Sequence, residues 1–461
     1  MADSYIYAAT GHESLAHHAS TSEQIRFQQS KGDAPQIGDH LLLAVGRNEE
    51  LEEISHTVYR ISEITSDWIE VTVSAIHANS VPVASVRSLL KRPLSPGVNS
   101  IQPEEFSKIV EMMGDLRPSE MQLLEHIKKY IAARGYYFDD ETIFNYHICL
   151  KTRPLVILAG LSGTGKSKLS QLYAEAIGHT VQNGHYLRLA VRPSWNDDRY
   201  LLGYHNTITG EYVSEPALDF LVRAEEDRNN LYFFCLDEMN LAHVEYYFSQ
   251  FLSAMEEESS ADRRIILYGE SVARQLAAQG KKADQERVVL VPDNLLFTGT
   301  INVDETTQPL SDKVIDRANT IEFFDIDLEN VPAKKAPPEA IRITPTVWQS
   351  YRAQESDDMY RSQIVAISKI LNEGGLGLGY RVLKEIESYL ANSRDLLDPK
   401  VAFDLQVKQR ILPRVRGTLA IRKMLQKLAA YTKQNGLDRS YQRLDEMESR
   451  LSRDGYTSFW R

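Results

Sequence analysis

An unbroken phosphate-loop pattern occupies residues 160–167, which read Gly160-Leu161-Ser162-Gly163-Thr164-Gly165-Lys166-Ser167. The apolar run at 155–159 predicts a buried strand before this loop, and residues 168–177 predict a helix after it. Between a strand and a helix, backbone N–H groups and the helix N-terminus face a bound phosphate. Lys166 is expected to reach the β- and γ-phosphates, and the Ser167 hydroxyl to bind Mg²⁺. We therefore predict a nucleoside triphosphate site formed by Gly160, Leu161, Ser162, Gly163, Thr164, Gly165, Lys166, Ser167 and Lys168.

The composition is that of a globular protein with roughly two to four domains. The chain has 461 residues, of which 43% are hydrophobic, and its net charge of −12 argues against a general affinity for nucleic acid. Its two cysteines, Cys149 and Cys235, indicate neither a disulfide framework nor a zinc site. The sequence shows no signal peptide and no apolar stretch of the ~20 residues that span a bilayer. We expect a cytoplasmic protein without membrane contact.

A second apolar stretch, residues 231–236, is followed directly by Asp237 and Glu238. A strand that delivers two carboxylates downstream of a phosphate loop is typical of the Walker B arrangement. Asp237 is predicted to hold Mg²⁺ through its water shell, and Glu238 to polarise the attacking water. The alternative is a strand that merely ends in a polar loop, and it fits either motif alone better than it fits both in this order.

A third apolar stretch, residues 295–301, leads to Asn302. A strand that brings an asparagine beside the two carboxylates matches the sensor-1 pattern, in which the amide orients water and the γ-phosphate. Taken alone, Asn302 would be an ordinary turn-forming residue at a strand end. Asp304 follows two residues later, and it either supports Asn302 or caps the next helix.

Two arginines downstream are further catalytic candidates. Arg317 is expected to act as an arginine finger that reaches a neighbouring subunit's nucleotide, a contribution worth ~10³–10⁵ in rate where it has been measured. The alternative is an ion pair within the chain, with Asp312 or Asp316, which would contribute little. Arg381 opens a helix in the C-terminal region and is a sensor-2 candidate that closes a lid on the γ-phosphate.

The pattern along the chain indicates four successive regions. Strand signals dominate the first, amphipathic helices the second, alternating strands and helices the third, and helices the last. A proline-rich linker at 331–338 predicts an extended spacer inside the last region. The predicted regions are a β-rich N-terminal domain at 1–112, a helical connector at 113–153, an α/β nucleotide-binding core at 154–328, and a linker with a helical lid at 329–461.

These stretches together resemble an AAA+ motor of the McrB type, the nucleotide-hydrolysing subunit of modification-dependent restriction systems. The resemblance covers roughly residue 120 to the C-terminus. Asp304 or Glu305 would fill the acidic position of the Asn-x-x-Asp signature of that family. The matching stretches are 158–167, 236–242, 299–305, 316–319 and 409–414.

The resemblance implies an α/β AAA+ P-loop NTPase core with a helical C-terminal lid, hydrolysing ATP or GTP with Mg²⁺. It also implies a hexameric ring with nucleotide at the subunit interfaces and a separate McrC-like endonuclease subunit that cuts DNA. The chain itself contains no convincing nuclease motif, so we expect no nuclease activity in it. The phosphate loop contacts phosphates alone, and the motifs therefore leave the choice between GTP and ATP open.

The N-terminal region resembles small PUA-like or EVE-like domains that read DNA, in some cases by flipping a modified base. Trp68 falls on the polar face of an alternating strand and is the candidate base reader, together with Tyr5, Tyr7 or Tyr59. The alternative is that Trp68 packs under a loop or against the connector helices. Residues 1–110 hold eight Lys and Arg against fourteen Asp and Glu, which argues against broad binding to phosphates.

A basic run occupies the C-terminal region without any acidic residue between its ends. We interpret it first as a solvated helix face, and second as a contact with a neighbouring subunit. The run consists of Lys408, Arg410, Arg414, Arg416, Arg422, Lys423 and Lys427.

Two other function classes remain beside the restriction motor. The first is a chaperone-like AAA+ remodeller similar to MoxR-type proteins, which would act on a protein partner. The second is a scaffold that binds nucleotide only as a structural ligand. The complete set of Lys166, Asp237, Glu238, Asn302 and Arg317 argues against a scaffold.

Overall fold

The structure is a computed structural model, and the chain divides into two compact units. The first comprises Met1–Glu120 with Thr346–Gln354, and the second comprises Met121–Pro345 with Glu355–Arg461. The residues that the structure describes are 4–10, 24–28, 35–36, 39–47, 50–64, 68–76, 81–86, 89–90, 94, 97–113, 118–206, 208–209, 211–257, 259–269, 272–274, 287–303, 308–324, 327 and 329–460.

The first unit is built on one mixed sheet, in agreement with the β-rich prediction. β1 runs parallel to β3, and the other pairings are antiparallel, in the order β2-β5-β4-β3-β1-β7 with β6 paired to β4. The strands are β1 Ser4–Thr10, β2 Gln24–Gln28, β3 His40–Arg47, β4 Glu50–Ile64, β5 Trp68–Ile76, β6 Val81–Pro82 and β7 Gly97–Ile101.

One face of this sheet forms a small hydrophobic core with two helices, α1 (Val83–Val86) and α2 (Pro103–Met113). α2 has Glu104 and Glu105 in its first turn, where they complement the helix dipole. The fully buried side chains of this core include Ile6, Leu42 and Ile54.

The second unit contains a five-stranded sheet in its described residues, and all its pairings are parallel. The strand order is β16-β8-β15-β12-β9, so that β15 lies between the strand of the phosphate loop and the strand of the two carboxylates. Parallel strands end at a common edge, and ligands bind at that edge in open α/β sheets. The strands are β8 Leu155–Gly160, β9 Tyr186–Ala190, β12 Tyr232–Asp237, β15 Leu295–Asn302 and β16 Asn319–Phe323.

Among the described residues, three two-stranded antiparallel pairs accompany this sheet. Their strands are β10 Tyr204–Asn206 with β11 Glu211–Val213, β13 Arg264–Tyr268 with β14 Arg287–Leu290, and β17 Arg416–Thr418 with β18 Tyr456–Ser458.

Helices cover the sheet and form the C-terminal part of this unit, as the sequence predicts. In chain order the helices from residue 120 onward are α3 Glu120–Ala133, α4 Asp140–Thr152, α5 Lys166–Ala176, α6 Arg199–Leu202, α7 Pro216–Glu226, α8 Val244–Tyr247, α9 Ser249–Ala254, α10 Asp312–Ile315, α11 Pro345–Ser350, α12 Arg361–Asn372, α13 Tyr380–Asn392, α14 Pro399–Gln406, α15 Arg422–Gln434 and α16 Asp438–Asp454. Of these, α11 belongs to the first unit except for its first residue. Short 3-10 or π turns lie at Met239–Leu241, Val407–Ile411, Leu412–Arg414 and Leu419–Ile421.

The connector helix α4 attaches to the C-terminal helices by buried polar contacts. The Lys151 ammonium donates to the carbonyl of Asn392 at 2.8 Å, and the Tyr389 hydroxyl donates to Asn145 Oδ1 at 2.7 Å. Buried polar groups need such partners, so these bonds fix α4 against α13. No described helix combines the length and apolarity that a bilayer crossing requires.

Candidate nucleotide site

The phosphate loop joins β8 to α5 in the order that the sequence predicts. α5 begins at Lys166, two residues before the predicted helix start. Gly163 and Gly165 have φ angles of 82° and 89°, a left-handed conformation that glycine adopts without strain. A Cβ atom at Gly160 would lie 1.9 Å from the carbonyl oxygen of Phe323, so a side chain cannot fit there. The loop leads into the free N–H groups of an eleven-residue helix, which favour an anion.

Lys166 is buried within this loop, with 6% of its surface exposed. Its ammonium donates to the carbonyl of Gly160 at 3.1 Å and to that of Leu161 at 2.5 Å. Burial lowers the pKa of Lys166, and the carboxylates of Asp237 and Glu238 oppose that shift. The cation therefore lies at the loop, in the electrostatic field of both predicted catalytic carboxylates.

Hydroxyl groups from two other elements fix Asp237. Ser167 donates to Asp237 Oδ1, and the Thr300 hydroxyl donates to the same oxygen at 2.7 Å. The second oxygen of Asp237 lies 3.9 Å from Arg188 Nε. Thr300 also accepts the backbone N–H of Glu238 at 2.9 Å. Thr300 thus orients both carboxylate residues, a role that the motifs do not indicate.

The oxygen atoms of this cluster suit Mg²⁺. Ser167 and Asp237 offer a hydroxyl and a carboxylate, which are hard ligands, and the two residues are in contact. Among the described residues, no group of three or more His, Cys, Asp or Glu could hold a metal ion by itself. Mg²⁺ commonly uses one or two protein oxygens and completes its shell with water and substrate phosphates. The fit of Ser167 and Asp237 to Mg²⁺ is therefore good.

Glu238 and Asn302 are in direct contact. The Asn302 amide Nδ2 donates to Glu238 Oε1 at 3.1 Å. Glu238 has φ 53° and ψ 45°, a left-handed conformation that is unfavourable for a residue with a Cβ. Such strain at a site persists only where the surroundings hold it, here through the hydrogen bond from the Glu238 N–H to Thr300. The predicted water-activating residue and the predicted sensor residue are thus adjacent.

Asn240 links the turn after Glu238 to the end of β15. Its amide donates to the carbonyl of Asn302 at 2.8 Å, and its side-chain oxygen accepts the Asn302 N–H at 3.3 Å. The backbone carbonyl of Asn240 also accepts the Gln308 N–H at 2.8 Å. This reciprocal pair fixes the position of Asn302, and it is a second contribution that the motifs do not assign.

Arg317 is paired within the chain, but with neither of the two acidic residues that the sequence suggests. Its guanidinium forms an ion pair with Glu256 and donates to the carbonyl of Leu252 at 3.0 Å and to that of Lys313 at 2.5 Å. Only 13% of its side chain is exposed. Burial lowers the pKa of Arg317, and the nearby cation of Arg381 lowers it further.

Arg381, at the start of α13, lies close to Glu256, the partner of Arg317, and also to Asp316. One of its guanidinium nitrogens is 3.6 Å from Glu256 and 3.5 Å from Asp316. Its side chain is 40% exposed, which leaves it more accessible than Arg317. The structure therefore brings the two candidate arginines together around Glu256.

A cavity of about 400 Å³ borders the phosphate loop at Thr164. This volume is within the range of small-molecule sites. Phe138 lies between the cavity and the loop, because its ring is 3.2 Å from the position of a Cβ on Gly165 and packs edge-on against Phe323. The other lining residues include Tyr137 before α4, Glu141 and Asn145 of α4, Glu322 of β16, Gln409 of the turn Val407–Ile411, and Arg439 and Arg443 of α16.

Charged groups in the lining of this cavity are already paired. Arg439 Nε donates to Glu141 at 2.8 Å, and Glu322 lies 2.8 Å from Lys408 and 2.6 Å from Arg443. The lining residues are separated by up to about three hundred positions in the sequence. The sequence motifs therefore give no indication of this cavity.

Two predicted site residues lie partly or wholly outside the described residues. Asp304, with Glu305, falls in an undescribed stretch, so its role remains a prediction. Trp68 begins β5, but its side chain is outside the described part of the structure. Of its predicted partners, Tyr5 and Tyr59 are buried with 6% and 0% exposure.

The interpretation of the C-terminal basic run as a solvated helix face is wrong for its first members. Arg410 is fully buried, Lys408 pairs with Glu322 at 2.8 Å, and Arg414 pairs with Asp316. The acidic partners lie about 90 to 100 residues earlier in the chain, so the charge pattern of the run alone does not show them.

The second unit is a parallel α/β fold with a phosphate loop and two adjacent carboxylates, Asp237 and Glu238, at one edge of its sheet. Residues 341–456 match a sequence family described as "Domain of unknown function (DUF8727)". No curated protein matches the chain.

Among the solved structures that resemble it is the crystal structure of a "putative ATPase" from Cytophaga hutchinsonii. It is 15% identical, the match covers 60% of this chain and 79% of that chain, and the TM-score is 0.39.

Replacing Thr300 with Val should lower kcat by about tenfold, because both hydrogen bonds that orient Asp237 and Glu238 are lost. The buried N–H of Glu238 would also lose its partner, which costs about 1–3 kcal/mol of stability. Steady-state kinetics of nucleotide hydrolysis with Mg²⁺ measure kcat, and a thermal melt measures the stability.

The matched control is Thr298→Val, two positions earlier on β15. This substitution removes the 2.7 Å hydrogen bond between Thr298 and Tyr146. The stability of the variant should therefore fall, while its kcat stays within about twofold of the wild-type value. Equal losses of kcat in both variants would show that Thr300 acts only through stability.

Replacing Glu238 with Gln should abolish turnover while leaving nucleotide affinity within about twofold, since the phosphate loop is untouched. Fluorescent-nucleotide titration and phosphate release measure binding and hydrolysis separately. Turnover retained by this variant would remove Glu238 as the residue that activates water.

Proposed function

We propose that the chain is an AAA+ nucleoside triphosphatase and the ring-forming motor of a DNA restriction system. The observation that carries this proposal is the contact between Glu238 and Asn302, 3.1 Å apart, beside Asp237 and the phosphate-loop residue Ser167. A site that only binds nucleotide needs the loop and its lysine. A base aligned by an amide at the γ-phosphate end is what hydrolysis needs in addition.

The chemistry follows from the positions of these side chains. Lys166 would exchange its hydrogen bonds to the loop carbonyls for contacts with the β- and γ-phosphate oxygens. Ser167 and Asp237 would hold Mg²⁺, which would neutralise the charge that develops on the phosphates. Glu238 would accept a proton from the attacking water. Asn302, by its hydrogen bond to Glu238, would keep that carboxylate in line with the γ-phosphate.

The nucleobase would occupy the 400 Å³ cavity next to Thr164, since this cavity adjoins the phosphate loop and its lining includes the aromatic residues Tyr137, Phe138 and Phe323. An aromatic wall accepts either purine by stacking. The choice between ATP and GTP would then depend on polar lining groups such as Asn145 and Gln409, which are within 3.1 Å of one another.

The restriction role is supported by the McrB-type resemblance of residues from about 120 onward. In this proposal the subunits form a hexameric ring, Arg317 completes the neighbour's site, and an McrC-like endonuclease subunit supplies DNA cleavage. The N-terminal unit would read DNA, either plain or carrying modified bases, with Trp68 as the candidate base reader.

A MoxR-like remodeller of a protein partner is the second candidate. The excess of acidic residues over 1–110, fourteen against eight basic ones, favours it because such a region is poorly suited to bind phosphates broadly.

The full-length protein should hydrolyse ATP or GTP in a Mg²⁺-dependent manner, and modified duplex DNA with an McrC-like endonuclease should stimulate it. Phosphate release is measured for each nucleotide, alone, with plain duplex, with methylated duplex, with the nuclease, and with an unfolded protein. Lys166→Ala, which removes the phosphate-contacting ammonium, is the inactive control.

The outcomes separate the function classes. Stimulation by an unfolded protein but by no DNA would favour the remodeller. Nucleotide binding without hydrolysis under all of these conditions would favour the third class, a scaffold that binds nucleotide only as a structural ligand. Gel shifts of methylated and glucosylated duplexes with the full chain test the reader independently.

Arg317→Ala should reduce turnover by about 10³-fold if Arg317 acts as a finger on the neighbouring subunit. Mixing it with Glu238→Gln should restore activity, because roughly a quarter of the interfaces in randomly mixed rings then combine intact Glu238 with intact Arg317. The measurement is phosphate release as a function of mixing ratio. If no mixture recovers activity, Arg317 acts within its own chain, through its ion pair with Glu256.

A further inference from the structure

The most deeply buried cation of the second unit's C-terminal part lies outside the predicted nucleotide site. Arg410 belongs to the π-helical turn Val407–Ile411, directly after α14, and its side chain has 0% exposure. π-turns are rare, and they often occur at functional sites. A cation in such a position needs compensating partners, because burial of a charge is costly.

The partners of Arg410 are the backbone carbonyls on either side of Arg317. One guanidinium nitrogen donates to Ile315 and Ala318, each at 2.8 Å, and the other donates to Asp316 at 3.1 Å. The last carbonyls of a helix have no partner within it, and α10 ends at Ile315. The rigid guanidinium fork therefore holds the backbone segment that carries Arg317.

The same guanidinium is tied to the C-terminal helices. It donates to the carboxylate of Glu385 on α13, which also pairs with Arg153. Arg153 lies two positions before β8, the strand that ends in the phosphate loop. Arg381, one turn before Glu385, pairs with Asp316 at 3.5 Å. Arg410 thus connects the Arg317 segment both to α13 and to the entrance of the phosphate-loop strand.

The contacts of Arg410 explain why this position carries an arginine. Burial lowers the pKa of Arg410 to about 10, with Arg414 as the next cause, so the group still carries its charge at neutral pH. An apolar side chain of similar volume would fill the space but leave all three carbonyls unpaired. Lysine would keep the charge but could not reach three carbonyls and one carboxylate with the same geometry.

We propose that Arg410 is a positioning residue for Arg317, and that it transmits movement of α13 to the arginine that completes the neighbouring subunit's site. This inference rests on the proposed role of Arg317 at the subunit interface. Arg410 itself touches no substrate. It determines where the Arg317 backbone lies relative to α13, and hence whether the guanidinium of Arg317 can reach the next nucleotide.

The test uses Arg410→Lys and Arg410→Met in the full-length protein. Each should lower kcat by about tenfold or more and leave KM within about twofold, because the subunit's own phosphate contacts are unchanged. Mixing either variant with Glu238→Gln should restore turnover, since the Arg410 variant then supplies an intact catalytic site and its neighbour an intact arginine. The conservative Lys variant should retain more activity than Met.

Arg394→Lys is the matched control. Arg394 is an exposed arginine just after α13, and its guanidinium donates hydrogen bonds of 2.9 and 3.0 Å to Asp357. Neither residue has a role in this proposal. Its kcat should stay within about twofold of the wild-type value. Circular dichroism and nucleotide titration verify that each variant is folded. If Arg410→Met does not fold, the Lys variant and Glu385→Gln, which removes the anchor on α13, carry the test.

The outcomes distinguish this proposal from the function on which it rests. Complementation by Arg317→Ala but not by the folded Arg410 variants would overturn the positioning role and leave the finger intact. Unchanged kcat in the Arg410 variants would overturn it as well. Failure of Arg317→Ala itself to complement Glu238→Gln would remove the finger and, with it, this inference.

Discussion

The hydroxyls of Ser167 and Thr300 both donate to one oxygen of Asp237, and this shared acceptor connects the ends of three parallel strands. The connection is available because β15 lies between β8 and β12, so that the phosphate loop, the carboxylates and Asn302 emerge at one edge of the sheet. Thr300 adds a bond to the backbone of Glu238. A single small side chain thus connects the carboxylate proposed to bind metal with the one proposed to activate water.

The local parts of the site could be predicted from the sequence, because each is a strand followed directly by its functional residue. Gly160 to Ser167, Asp237, Glu238 and Asn302 all belong to this kind. Thr300 and Asn240 could not be assigned in the same way, since their roles depend on which strand lies beside which. The cavity wall formed by Phe138 and α16 joins segments about three hundred residues apart, and no local pattern records that proximity.

The surroundings of the basic run also could not be predicted, because the charge pattern does not show its partners. A run of like charges favours a solvated face for Arg410 and its neighbours, but Arg410 lies in a π-turn and is fully buried. The partners of these cations, the carbonyls near Ile315 and the carboxylates of Asp316 and Glu322, come from elements that precede the run by about ninety residues. Arg317 must likewise leave Glu256 before it can reach another nucleotide, so assembly would exchange one anionic partner for another.

The backbone of Glu238 imposes a lasting compromise on the evolution of this chain. Its left-handed conformation suits glycine or asparagine, and a glutamate there carries a cost of about 1 kcal/mol or more in folding. If Glu238 activates water as proposed, selection for thermal resistance alone would favour replacement at this position, whereas selection for turnover would retain the glutamate. A chain that kept this fold without hydrolysis would then lose the backbone cost by carrying glycine or asparagine at position 238.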